Sequence, residues 1–197
     1  MDKIEIEKQL KKIKDEVLKC QKCSLFKTRK FSVIGQGNHQ AKIIFIGEAP
    51  GASENLTGVP FCGAAGKILD ELLESIGIKK EDVYIANILK CRPPGNRNPE
   101  KKEIEDCTPY LEKQIKIINP KVICALGNFS TGFILEKYGL KDQIQGISKI
   151  HGKIFDPLVN ENDLKIISFY HPAAAAYNSN MKEILKKDFE VLREFKD

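Results

Sequence analysis

Four side chains in this sequence combine complementary chemistry: the carboxylate of Glu48, the amide of Asn87, the imidazole of His171 and the phenyl ring of Phe61. Three of them sit where apolar runs end. Lys42-Ile-Ile-Phe-Ile46 breaks into Gly47-Glu-Ala-Pro-Gly51, placing an acid, two glycines and a proline just past the run. Asn87 lies toward the end of Val83-Tyr-Ile-Ala-Asn-Ile-Leu89, and His171 follows Lys165-Ile-Ile-Ser-Phe-Tyr170. Short Ile-rich runs bounded by Gly and Pro read as strands buried on both faces. In open α/β sheets, ligands bind beyond the carboxyl ends of such strands. Parallel strands share that edge, so Glu48, Asn87 and His171 can meet in one cleft although they are far apart in the chain. Each also has an ordinary use. Gly47–Gly51 can be a plain turn, Asn87 can satisfy backbone, His171 before Pro172 can be a turn residue, and Phe61 can be core.

Six cysteines form a second constellation: Cys20, Cys23, Cys62, Cys91, Cys107 and Cys124. Cys20-x-x-Cys23 at a helix end allows two thiolates to grip one metal. Cys91 follows a strand, and Cys107 falls on the apolar stripe of the next helix. Cys124 lies inside a buried run and reads as a small core residue, while Cys62 stands alone in a loop. A chain without a secretion signal makes disulfides the less favoured use. Cys20, Cys23, Cys91 and Cys107 are the leading four-ligand set, and their spacing fits Zn²⁺ and an iron–sulfur cluster alike.

The elements that would position these groups alternate. Apolar residues at helical spacing predict helices over Asp2–Lys19, Ala64–Ile76, Glu100–Ile118, Asn128–Tyr138 and Met181–Phe195. Strands are expected at Lys42–Ile46, Val83–Leu89, Val122–Leu126 and Lys165–Tyr170. Ser24–Gln40 reads as a basic loop, Ala52–Gly63 as a long loop, Cys91–Pro99 as a stiff loop, and Ile147–Phe155 as a small antiparallel hairpin. Alternating strands and helices argue for a three-layer α/β/α sandwich around a central four-stranded parallel sheet. With 197 residues and no linker or repeat, one domain over 1–197 is expected.

Two phosphate-binding signatures fail on inspection. Gly63-Ala-Ala-Gly-Lys67-Ile68 is no P-loop, because position 61 is Phe and Ile replaces Ser/Thr after Lys67. Gly35-Gln-Gly37-Asn-His-Gln40 lacks its third glycine and precedes its strand, so it is no dinucleotide fingerprint. No run approaches the roughly 18 apolar residues of a membrane span. The charged stretch Met1–Lys19 lacks a signal peptide's apolar core, which points to the cytoplasm. The net charge of +5 permits an anionic partner without requiring one.

Taken together, Gly47-Glu-Ala-Pro-Gly51, Gly58-Val-Pro-Phe-Cys-Gly-Ala-Ala-Gly-Lys67, Asn87 before Cys91-Arg-Pro-Pro-Gly-Asn-Arg-Asn-Pro99, and Tyr170-His-Pro-Ala-Ala-Ala175 resemble the family 4 (thermophilic-type, iron–sulfur) uracil-DNA glycosylases. The resemblance runs from Cys20 to the last helix. It implies a hydrolase of base excision repair that flips uracil out of DNA and hydrolyses its N-glycosidic bond. It implies a structural [4Fe–4S] cluster on Cys20, Cys23, Cys91 and Cys107. It also implies uracil against Phe61, read by Asn87, touching Glu48, Ala49, Pro50 and His171, with Glu48 and His171 catalytic. Glu54 or Glu48 would exclude a C5 methyl. Lys27, Arg29, Lys30, Arg92 and Arg97 are candidate phosphate contacts. Past His171 the chain departs from the family's bulky aliphatics and Arg, and Tyr177 is the expected wedge into DNA.

The expected partner is uracil-containing DNA, met by a monomer outside any membrane, with replication or repair proteins as further candidates. Two alternatives stand beside this reading. One is a sister glycosylase class of broader base range, whose members tend to lack the acid that Glu48 supplies. The other is a non-catalytic, cluster-containing DNA-binding module. Zn²⁺ remains the alternative metal.

Overall fold

The computed structural model describes residues 1–158, 163–176 and 178–196. In chain order its helices and strands are α1 (Lys3–Leu18), β1 (Gln36–Gly37), β2 (Ile43–Gly47), α2 (Ala52–Thr57), α3 (Ala64–Ser75), β3 (Tyr84–Asn87), α4 (Lys101–Ile118), β4 (Val122–Leu126), α5 (Gly127–Lys137), α6 (Ile147–Ile150), β5 (Ile154–Phe155), β6 (Lys165–Phe169) and α7 (Ser179–Phe189). The strands form one sheet in the order β1-β3-β2-β4-β6-β5. The central four are parallel, and the two-residue strands β1 and β5 close the edges antiparallel. Such short edge strands leave little ladder for another chain to join.

Alternation along each central strand divides the core in two. Ile44, Ile46, Ala86, Ile123, Ala125 and Ile166 pack with buried residues of α1, α4, α5 and α6. Phe45, Ile85, Cys124, Ile167 and Phe169 pack with residues of α3 and α7. Both faces are therefore covered, which is why these runs carry almost no polar residues. The amphipathic spacing of α1 is realised in its buried Ile6, Leu10, Ile13 and Val17. Cys124 is fully buried between strands, as a core residue.

From β2 the chain crosses through α3 to β3 on one side, then returns through α4 to β4 on the other. Strand order reverses at β2 and β4, and in doubly wound sheets the crevice above such a reversal is where ligands bind.

Two local expectations change. Ile147–Phe155 is not a hairpin: Ile147–Ile150 is one helical turn, and only Ile154–Phe155 is extended, paired with β6. Ile147 and Ile150, three apart and both buried, have helical rather than strand spacing. The loop read over Ala52–Gly63 begins with the short helix α2, whose chain is turned back at Gly58 with φ 75°.

Candidate functional site

The crevice is built from the loops after β2, β3, β4 and β6. Gly47 and Asn87 are paired across the β2–β3 ladder. A Cβ on Gly47 would stand 2.3 Å from Asn87 Oδ1 and 3.2 Å from Cε2 and Cζ of Phe61. The glycine therefore lets an amide and an aromatic edge close on the same point. Beyond β3, the N–H groups of Ile88 and Leu89 donate to the carbonyls of Gly47 and Glu48, both at 3.0 Å. That holds the two strand ends together past the regular ladder. Asn87 is only 3% exposed, yet among the described residues its amide has no hydrogen-bond partner. Buried polar groups are normally satisfied, so this amide is available to a ligand.

Phe61 is held in a conformation that few bulky residues adopt. Its φ is 49°, whereas the other described non-glycine residues with positive φ are Asn96, Asn119 and Asp163. Strain of this kind costs on the order of 1–3 kcal/mol and clusters at functional sites. Gly66 makes it possible, since a Cβ there would fall 1.7 Å from the Phe61 carbonyl oxygen. The ring of Phe61 stacks against that of His171, with centroids 5.6 Å apart and planes 26° apart. Gly127, at the start of α5 with φ 88°, lies under the His171 Cβ, where its own Cβ would come within 3.3 Å. Asn87, Phe61 and His171 thus lie side by side above the strand reversal.

His171 precedes the turn Pro172–Ala175, and its Nδ1 accepts the N–H of Ala173 at 3.2 Å. In a neutral imidazole one nitrogen accepts and the other carries the proton. The proton is therefore on Nε2, which is left as a donor. Burial pushes the His171 pKa down, while the nearby Glu54 carboxylate opposes this. Glu54 is itself fixed by the N–H of Gly63, which donates to its Oε1 at 3.3 Å. Burial raises the pKa of Glu48, which lies partly exposed on the rim with Ala49; Pro50 behind them is buried.

Lys90 lies beneath this cleft and is 1% exposed. Its Nζ donates to the Asn87 carbonyl at 2.9 Å and to Gln114 Oε1 at 2.8 Å. Burial lowers its pKa to about 8, which leaves it cationic at neutral pH.

Cys20, Cys23, Cys91 and Cys107 line one pocket with Val17, Leu25, Phe26, Arg29 and Tyr110. All six cysteines are free thiols. Arg29 Nη1 donates to Cys91 Sγ at 3.3 Å, and the Lys90 N–H donates to Cys107 Sγ at 3.2 Å. Four soft donors, two of them already receiving N–H bonds, form a donor set suited to an iron–sulfur cluster. Among the described residues no three His, Cys, Asp or Glu side chains form a group that could hold a metal ion.

All the sequence-predicted groups of the cleft gather at the carboxyl edge of the sheet, and the four cysteines gather beside β3 and α4. Two of the basic residues expected on the surface are committed elsewhere. Arg29 Nη2 also donates to the Leu18 carbonyl, and Arg97 pairs with Glu103, a capping residue of α4, at 2.6 Å. Arg92 Nε donates to Asn96 Oδ1 at 2.7 Å. Tyr177 lies outside the described residues. Sequence reasoning did not single out Lys90, Gln114 or Gly127. A lysine closing an apolar run just before a cysteine was the one available signal.

Residues 34–194 match the family model of the uracil DNA glycosylase superfamily. Three similar curated proteins are named type-4 uracil-DNA glycosylases. That of Sulfurisphaera tokodaii is 46% identical over 186 residues, covering 94% of this chain and 84% of that protein. That of Saccharolobus solfataricus is 46% identical over 92% of this chain and 84% of its own length. That of Archaeoglobus fulgidus is 46% identical over 91% of this chain and 89% of its own. No described helix is long and apolar enough to cross a membrane.

Proposed function

The chain belongs to the uracil DNA glycosylase superfamily, and on that premise we propose how its strand-end cleft works. It is a uracil-DNA glycosylase of DNA repair, a hydrolase that splits the N-glycosidic bond of uracil in DNA and leaves an abasic site. The observation that supports the cleft as its active site is the convergence of Asn87, Phe61 and His171 around Gly47.

A base stacked in a duplex is out of reach, so the nucleotide is flipped out, at a cost of a few kcal/mol. Stacking on Phe61 returns roughly 1–3 kcal/mol. The Asn87 oxygen accepts from uracil N3–H while its nitrogen donates to O4. Cytosine presents the reverse pattern, and a rigid amide left unpaired can reject it by about 10⁴-fold. As the bond breaks, negative charge grows on uracil O2. His171 Nε2–H is the donor aimed at it, and a neutral imidazole stabilises that anion without surrendering its proton. Glu48, whose raised pKa makes it a stronger base, orients or deprotonates the attacking water. Glu54, held by Gly63, is the better fixed of the two acids to crowd a C5 methyl. Ala49 and Pro50 complete the wall beside the base.

Lys27, Lys30 and Arg92 are the basic residues left to meet phosphates, and the N-terminus of α5 adds backbone donors near His171. Cys20, Cys23, Cys91 and Cys107 would hold a [4Fe–4S] cluster, which would supply structure to the lobe beside β3. The chain acts as one domain and as a monomer in the cytoplasm.

Uracil-containing oligonucleotide incubated with the protein should break at the uracil position after alkali, and undamaged oligonucleotide should not. Binding without release of free uracil would mean a non-catalytic DNA-binding module. Equal cleavage of hypoxanthine and mismatched bases would move the chain to the sister class of broader range.

A further inference from the structure

We infer that Lys90 is a positioning residue for base recognition: its ammonium fixes the end of β3 and thereby the amide of Asn87. The inference rests on the glycosylase reading above. Asn87 is the last residue of β3, and past it the N–H groups of Ile88 and Leu89 still hold the backbone to the carbonyls of Gly47 and Glu48. Neither of these bonds uses the Asn87 carbonyl, to which Lys90 Nζ reaches back three residues at 2.9 Å. The same Nζ donates to Gln114 Oε1 at 2.8 Å. Gln114 in turn donates to Tyr84 Oη and to the Ile34 carbonyl, both at 3.0 Å. One amide on α4 therefore ties Lys90 to both the start of β3 and the segment entering β1.

The backbone of Lys90 is pinned as well. Its N–H donates to Cys107 Sγ at 3.2 Å, and its carbonyl accepts from the Val33 N–H at 2.7 Å. The ammonium thus stands on a peptide anchored to the cysteine lobe and reports that anchor to the carbonyl of the base-reading residue.

Stability alone does not account for a lysine here. Burying a cation carries a desolvation penalty that a methionine of similar length would avoid, and replacing buried charges with apolar groups is often neutral or stabilising. What an apolar side chain lacks is a directional bond. Without it the Asn87 carbonyl and Gln114 Oε1 lose this partner in the interior, and the Asn87 peptide can tilt within the backbone bonds that Ile88 and Leu89 still make. A displacement of about 1 Å at a recognising group can reduce rate on the order of 100-fold.

The test uses full-length Lys90→Met, Lys90→Arg and Gln114→Met. It measures iron content, melting temperature, single-turnover uracil release, inhibition by free uracil, and affinity for DNA carrying an abasic-site analogue. Lys90→Met is expected to keep its iron and stay folded at the assay temperature. Its uracil release should fall on the order of 100-fold and free uracil should inhibit it less, while abasic DNA binds as before. Lys90→Arg, which keeps a donor, should recover part of the loss. Wild-type release and wild-type inhibition in Lys90→Met, with only a lower melting temperature, overturn the inference; so does an equal loss of abasic-DNA affinity. If Lys90→Met does not fold, Gln114→Met must show the same split between uracil and abasic DNA, and its absence overturns the inference. A wild type that releases no uracil would instead remove the glycosylase reading itself.

Discussion

Asn87 Oδ1 occupies the space in which a side chain on Gly47 would begin, 2.3 Å from an ideal Cβ there. The two residues are ladder partners, so neither can withdraw without breaking the β2–β3 pairing. A side chain as small as a methyl group at position 47 must push the amide aside, and it would also press on Phe61 at 3.2 Å. We expect Gly47→Ala to fold, because β2 is extended and alanine is at ease there. Uracil release should nevertheless fall on the order of 100-fold. Single-turnover assays beside a thermal melt check this. Unchanged release would mean that the amide does not read the base from this position.

Asn87→Asp keeps the shape and changes the hydrogen-bond pattern. A carboxylate only accepts, so the donor to uracil O4 is lost and an acceptor for the cytosine amino group is gained. Uracil release should drop steeply. The preference for uracil over cytosine should shrink on the scale of the roughly 10⁴-fold that such unpaired groups can impose. Matched oligonucleotides carrying uracil or cytosine give both rates. Preserved discrimination in the variant would assign base reading to another residue.

His171 sets an acid limb. Burial depresses its pKa in the folded protein, so the neutral ring is favoured there and the unfolded chain takes up the proton first. Its contribution to stability is full above the unfolded value of about 6.5 and is lost as pH falls below it. Protonation would also place a hydrogen on Nδ1, which now accepts from Ala173. Melting temperatures of wild type and His171→Leu should therefore diverge less as pH falls from about 8 to 5, and the wild-type cleavage rate should decline over the same window. A rate midpoint above the ordinary histidine value would contradict a neutral donor.

The sheet was legible in the sequence because its four central strands are buried on both faces and so read as unbroken apolar runs. The cleft was legible for the same reason: Glu48, Asn87 and His171 stand out against those runs, and topology gathers strand ends. Other features depend on contacts distant in sequence. Lys90 looks like a solvated lysine until Gln114, 24 residues later, is placed beside it. Arg29 and Arg97 look like phosphate contacts until Cys91 and Glu103 claim them. The strain at Phe61 and the close approach of Gly66 belong to backbone conformation, which residue types alone do not reveal. Ile147–Phe155 misled because Gly152 within it, Gly146 just before it and the apolar pair Ile154-Phe155 satisfy a hairpin pattern as easily as a helical turn.

The cysteine lobe makes the last prediction. Cys91 and Cys107 are buried, and as bare thiols they resist ionisation, with Cys107 pushed up to about 12 by burial. A bound cluster reverses that state, since metal ligation requires thiolates and releases their protons. The N–H groups of Lys90 and Arg29 are already directed at two of the sulfurs. Purified protein should therefore carry about four irons and matching sulfide per chain. Cys107→Ala removes a ligand and the acceptor of the Lys90 N–H together. It should lose most of the iron and melt on the order of 10 °C lower, since each kcal/mol is worth roughly 2–4 °C in a chain of this size. Cys62→Ala, which touches neither the pocket nor its donors, should keep both. Metal analysis and melting curves of the three proteins decide the matter. One zinc per chain without sulfide would replace the cluster by a single ion, and an unchanged metal content in Cys107→Ala would remove that residue from the ligand set.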